Sequence, residues 1–93
     1  SNYTIANPVI LVEVLSKSTA ETDKDFKLRK YQKIPSLHYY LIVSQYECSV
    51  ELYSRIDESD VWTYQLFESM TQELNFEKLD FKMSVAAIYD NIT

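Results

Sequence analysis

The sequence contains no glycine. Phosphate-cradling P-loops, GxGxxG dinucleotide turns and GxSxG nucleophile elbows all need glycine where the backbone bends sharply or approaches a ligand, so each is excluded. A single cysteine, Cys48, rules out an intramolecular disulfide and leaves no cysteine cluster for zinc. It has no base near it in sequence and reads as a small packing residue. His38 is the only histidine, with no second imidazole or thiol cluster nearby, so a satisfied core histidine is the plainer reading than a ligand or triad base. The longest apolar run, Val9-Ile10-Leu11-Val12, falls far short of the roughly 20 residues that cross a bilayer. No basic segment leads into a longer one, so no secretory signal and no membrane partner is expected, and the chain reads as cytoplasmic.

What is present suits one globular domain: 93 residues, 46% hydrophobic and 25% charged. The net charge of −5 is unevenly spread. Residues 17–33 hold Lys17, Lys24, Lys27, Arg29, Lys30 and Lys33 against Glu21, Asp23 and Asp25, a local +3 that leaves −8 elsewhere. A basic helix on an acidic body suits a polyanion such as DNA. A solvated helix laced with i,i+4 ion pairs gives the same pattern.

Pro8 to Ser16 is apolar on both alternating faces and reads as a strand buried on both sides of a sheet, with Glu13 as its anomaly. Ser16 to Thr22 reads as a loop. Thr22 and Asp25 resemble a capping box for a helix over Asp23 to Lys33, which Pro35 stops. Leu37 to Ser44 is a second strand, so the unit from Val9 to Val43 matches a parallel crossover. Ser49–Ser54 and Val61–Phe67 are expected as antiparallel neighbours of the Leu41 strand. Leu79–Met83 alternates, and Ser84 is placed to cap a short helix from Val85 to Asn91.

Glu13 is the most informative residue. A carboxylate in a central strand is costly to bury unless it is paired, protonated or bound to a metal. Strand ends beside a crevice are where α/β folds place their sites. Either Glu13 belongs to such a site, or it pairs with a lysine from the following helix. Asp23, Lys27 and Tyr31 follow at i, i+4 and i+8, which puts an acid, a base and a phenol on one helical stripe; Asp-to-Lys at that spacing is also ordinary surface support. Ser16 reads as a loop or cap hydroxyl. Tyr39, Tyr40, Tyr46, Tyr53 and Tyr64 read as strand residues before they read as a base-stacking platform.

One ordered set of segments goes further. Asn7-Pro8-Val9-Ile10-Leu11-Val12-Glu13-Val14-Leu15-Ser16 precedes Ser18-Thr19 and Asp23-x-x-x-Lys27-Leu28-x-x-Tyr31. Ile34-Pro35-Ser36-Leu37, Tyr39-Tyr40-Leu41-Ile42-Val43-Ser44-Gln45 and Val50-Glu51-Leu52-Tyr53 then complete it. From about Asn7 to Phe67 the chain resembles the Uma-type restriction endonucleases, a branch of the PD-(D/E)XK nuclease superfamily. The resemblance implies an α/β, restriction-endonuclease-like core over residues 1–93: a mixed sheet of four or five strands, one crossover helix and a short C-terminal helix. It implies a Mg²⁺-dependent DNA phosphodiesterase ancestry, in which two acids hold the metal and a lysine assists. Glu13 matches the second acid and would be the metal ligand. The superfamily's lysine usually falls two residues on, where this chain has Leu15, so Lys27 is expected to serve, with Asp23 as a supporting acid. That relocation requires the Lys27 ammonium to lie within hydrogen-bond or one-water reach of Glu13, inside ~10 Å.

Family members carry an N-terminal helix, one or two strands and a metal-binding Pro-Asp motif ahead of this region. Relative to them the chain reads as N-terminally truncated, and whether it is an enzyme is left open. By itself it is expected to be inactive, with a sheet edge that invites a homo-oligomer. The alternatives are a nuclease completed by a second chain and a non-catalytic protein-interaction module built on the tyrosine-rich strands. DNA contact through the basic helix 23–33 fits either.

Overall fold

The computed structural model describes residues 8–16 and 24–92, the side chains of residues 24–26 excepted. Runs rich in β-branched and aromatic residues form the four strands of the main sheet: β1 (Ile10–Leu15), β2 (Tyr39–Ser44), β3 (Val50–Arg55) and β4 (Trp62–Phe67). Their order is β1-β2-β3-β4, with β1 parallel to β2 and the other pairs antiparallel. Helix α1 (Lys24–Gln32) lies between the two parallel strands in the chain. It ends where Lys33 and Ile34 N–H groups bond back to Lys30 and Tyr31 carbonyls, just before Pro35 removes the next donor. A second, two-stranded sheet pairs β5 (Glu73–Phe76) with β6 (Phe81–Ser84) around a 3₁₀ turn at Glu77–Leu79, and helix α2 (Val85–Ile92) follows. The Ser84 hydroxyl caps α2 as its sequence position suggested, accepting the Ala87 N–H at 3.1 Å. This mixed sheet with its parallel crossover is consistent with a restriction-endonuclease-like fold.

Alternation sorts the sheet residues onto two faces. Tyr39, Leu41, Val43, Val50 and Leu52 point toward Phe76, Leu74, Val85 and Ile88, so β5, β6 and α2 cover that side. Leu15, Tyr40 and Ile42 point the other way and pack with Leu11, Leu28 and Tyr31, beneath α1. All six residues of β2 are buried, as expected for a strand with cover on both faces.

Three features differ from the sequence reading. β1, read as buried on both sides, is an outermost strand among the described residues, and its Ile10, Val12 and Val14 stay 37%, 50% and 39% exposed. The core on that face is built from β2, β3, Phe67 and the C-terminal elements, and no β1 residue belongs to it. β4 neighbours β3 and not β2, because successive hairpins place it one strand further out. The C-terminal strand starts at Phe81, and its partner β5 was not foreseen; at four residues, two of them polar, β5 is too short for alternation to register.

The lack of glycine has a local consequence. Asp57 and Asp80 both adopt φ of 51°, the left-handed region where glycine is the usual occupant. Aspartate tolerates it better than most residues because its short polar side chain bonds locally.

One organising residue carried no signal in the sequence. The buried Arg55 guanidinium, at the end of β3, donates through Nε to Leu37 O at 2.7 Å and through Nη1 to Ser59 O at 2.9 Å. Its Nη2 donates to Gln32 O at 3.1 Å and Ile34 O at 2.9 Å. The group also lies 4.6 Å from the centre of the Trp62 ring. A cation at the C-terminal end of α1 suits both the unsatisfied carbonyls and the helix dipole there. Arg55 therefore ties the end of α1 to β3 and the β3–β4 turn. Among the described residues, no helix is long and apolar enough to cross a membrane.

Candidate active site

Strand alternation puts Glu13 on the α1 side of β1, between Leu11 and Leu15. Helical spacing puts Lys27 and Tyr31 one turn apart on the side of α1 that meets it. The Tyr31 hydroxyl donates to Glu13 Oε1 at 2.9 Å. The Lys27 ammonium lies 3.4 Å from Oε2, a longer and weaker contact. The Glu13 side chain is 25% exposed and that of Lys27 42%, so the site opens to solvent at the lysine.

Glu13 also begins a cross-strand row, Glu13–Ile42–Glu51, on one sheet face. Beside it runs a line of tyrosines. Tyr31 meets Tyr40 edge-on at 5.0 Å, Tyr40 stacks on Tyr53 at 6.0 Å, and Tyr53 tilts against Tyr64 at 5.0 Å. At the far end the Tyr64 hydroxyl donates to Glu51 Oε1 at 2.9 Å. The line thus starts at a phenol held by Glu13 and ends at a phenol held by Glu51. Burial first, then the bonded carboxylate, pushes Tyr31 above the ordinary tyrosine range and Tyr64 up to about 12. Tyr40, the most buried of the four, is raised further by burial and by the Glu13 charge. Tyr31 and Tyr64 consequently stay donors through neutral pH.

Of the residues singled out from sequence, Glu13, Lys27 and Tyr31 come together, and the 3.4 Å contact meets the reach that the lysine relocation requires. It is equally the ion pair with a helix lysine that was the alternative for Glu13. Asp23 lies outside the described residues, as do Thr22 and the loop before α1. His38 is buried, with Nδ1 2.9 Å from Ser36 O and Nε2 3.5 Å from Glu58, and touches none of the three. Cys48 packs against the larger core cluster, as expected of a small apolar residue. A cleft of about 620 Å³ lies elsewhere, on the opposite sheet face, lined by Tyr39, Ser54, Thr63, Gln65, Asn75 and Lys78 among others. It contains neither Glu13 nor Lys27. Among the described residues no three His, Cys, Asp or Glu side chains converge as a metal cage.

The family model for Uma2, described as "Putative restriction endonuclease", matches residues 1–86. Two uncharacterized proteins of Synechocystis sp. are similar in sequence. One, sll1609, is 35% identical over 80 residues, covering 85% of this chain and 45% of that protein. The other, slr1290, is 33% identical over 89 residues, covering 96% of this chain and 46% of that protein. The chain spans about half the length of these relatives. With a match over most of its residues and a mixed sheet of the expected kind, the chain belongs to the Uma2 family of restriction-endonuclease-like proteins.

Proposed function

We propose that the chain carries one half of a metal-dependent DNA phosphodiesterase site, with Glu13 as its metal-facing acid. The observation that supports this most is the meeting of Glu13 with Lys27 and Tyr31 at a strand edge, in a chain of this family. Mg²⁺ uses one or two carboxylates and keeps several waters, so a single carboxylate with one loosely held oxygen fits as one ligand. When bound, such an ion activates water and offsets the charge that develops on the phosphate. Lys27, half exposed beside Oε2, is suited to hold a phosphate oxygen or orient the attacking water. Asp23, four residues before Lys27, is proposed as a supporting acid.

The remaining acid is proposed to come from a second copy or from the additional chain that the longer relatives contain. The domain is accordingly proposed to be a partial one, inactive by itself. Arg29, Lys30 and Lys33 are exposed on or just after α1 and suit contact with DNA phosphates, which steep weakening by salt would reveal. A plasmid-nicking assay with Mg²⁺ or Mn²⁺, run at concentrations where the chain self-associates and again with a longer relative, tests the site. Cleavage lost on Glu13→Gln supports the reading; cleavage that survives it, or no cleavage under either condition, overturns it.

A second reading rests on a different observation. β1 leaves Ile10, Val12 and Val14 exposed along a sheet edge, and β4 leaves Tyr64 and Leu66 half exposed at the other. Such edges pair with other strands. On this reading the chain is a protein-interaction module, and calorimetry showing no divalent-metal binding would favour it.

A further inference from the structure

The two oxygens of Glu13 are not equivalent. Oε1 takes a 2.9 Å bond from a phenol whose ring is fixed from behind, whereas Oε2, among the described residues, has a 3.4 Å contact with a half-exposed lysine. The phenol is restrained at several points. Its ring meets the buried Tyr40 edge-on at 5.0 Å. The helix end that carries it is clamped one residue later, where Arg55 binds the Gln32 and Ile34 carbonyls. Lys27 lies a full turn earlier, and among the described residues its ammonium has no such clamp at its tip.

Resting on the reading of Glu13 as a metal-facing acid, we infer that Tyr31 is the positioning residue of that site. It fixes Oε1 so that Oε2 is the oxygen offered to a divalent cation, and Lys27 is the group that gives way. The physical reason is a difference in cost. Releasing Tyr31 would strand a partly buried phenol and break its packing on Tyr40, whereas Lys27 can swing into water and keep its charge solvated. A ligand carboxylate steadied by an outer hydrogen bond is the usual arrangement of metal sites, and loss of such a partner typically weakens binding 10–100-fold.

Mn²⁺ titration of the whole chain, read as paramagnetic broadening of the Glu13 and Ile42 amide signals, tests this without any need for catalysis. Tyr31→Phe keeps the ring on Tyr40 and removes only the hydroxyl. We expect it to raise the Mn²⁺ midpoint about tenfold, with the thermal midpoint nearly kept and with Tyr64→Phe, at the far end of the tyrosine line, leaving the Mn²⁺ midpoint unchanged. If Tyr31→Phe leaves that midpoint unchanged while Glu13→Gln abolishes the broadening, the positioning role fails and the metal-facing acid stands. If Glu13→Gln changes nothing, the metal-facing acid itself fails, and the inference with it.

A measurement on the wild-type chain covers the case in which Tyr31→Phe does not fold. On adding diamagnetic Mg²⁺, the Lys27 side-chain signals should shift and the Tyr31 ring carbon bearing oxygen should not. The reverse pattern overturns the inference.

Discussion

Lys27 on α1 and Glu13 on β1 meet at 3.4 Å, the ammonium half exposed and the carboxylate mostly covered. Exposed pairs of this kind contribute little to folding, at most about 1 kcal/mol. Lys27→Ala should therefore lower the unfolding free energy by less than ~1 kcal/mol in denaturant titration. If Lys27 serves the proposed phosphodiester chemistry, the same substitution should cost about 10²–10³ in cleavage rate wherever a completed site is active. A large loss of stability with no loss of cleavage would make the pair purely structural.

Arg55 should behave in the opposite way. Its guanidinium is buried and donates to four backbone carbonyls, two of them at the end of α1. Arg55→Met leaves those acceptors without a partner, and hydrogen bonds to a charged group are worth about 1.5–3 kcal/mol each. We expect a loss of about 3 kcal/mol or more in unfolding free energy. Arg55→Lys should recover little of it, because an ammonium cannot span the same fork of acceptors.

The tyrosine line gives the chain an alkaline limit. Tyr31, Tyr40 and Tyr64 all hold their protons more tightly than a free phenol, chiefly through burial. A folded-state pKa raised above the unfolded value adds stability that is complete below pH ~10 and fades as pH climbs through the raised values. For Tyr64 that window runs from the ordinary 10.0 to about 12. Phenolate absorbance followed alongside far-ultraviolet circular dichroism should show these tyrosines ionising late and together with unfolding. On Glu13→Gln, Tyr31 should ionise at lower pH than in the wild type but still above a free phenol, since burial remains after the carboxylate is gone.

Asp57 and Asp80 occupy left-handed backbone in a chain without glycine. Asp80→Gly should raise stability by up to about 1 kcal/mol, the steric penalty being relieved and partly offset by greater freedom in the unfolded chain. Chemical denaturation of Asp57→Gly and Asp80→Gly separately checks whether both turns hold the same strain.

The β1 edge makes a prediction about assembly. We expect self-association at high concentration through the edge that Ile10, Val12 and Val14 leave open. Val12→Lys places a charge in the middle of that strip, a device natural edge strands use against pairing. Sedimentation should show the wild type heavier than the monomer and Val12→Lys as a monomer; a clean wild-type monomer removes the proposal.

The candidate residues were legible where spacing along one element decides which side chains share a face. Glu13 stood out because a carboxylate interrupts an apolar strand, and Lys27 and Tyr31 because four-residue spacing puts them on one side of a helix. That both would reach the same carboxylate could not be read from spacing, because it depends on how α1 lies across the sheet. Arg55 was invisible for a related reason: its four acceptors are separated in sequence and share only a location. An arginine at the end of a strand has no local pattern that marks it as buried.

The amino-acid order by itself determined the four strands of the main sheet, the crossover helix, its stop before Pro35 and the exclusion of every glycine-dependent loop, because each follows from local sterics and hydrophobic period. Tertiary structure alone decided that, among the described residues, β1 is an outermost strand and leaves Ile10, Val12 and Val14 exposed. An apolar strand has the same local pattern whether or not a second layer covers it, and here the layer formed by α2, β5 and β6 gathers over the strands beside it.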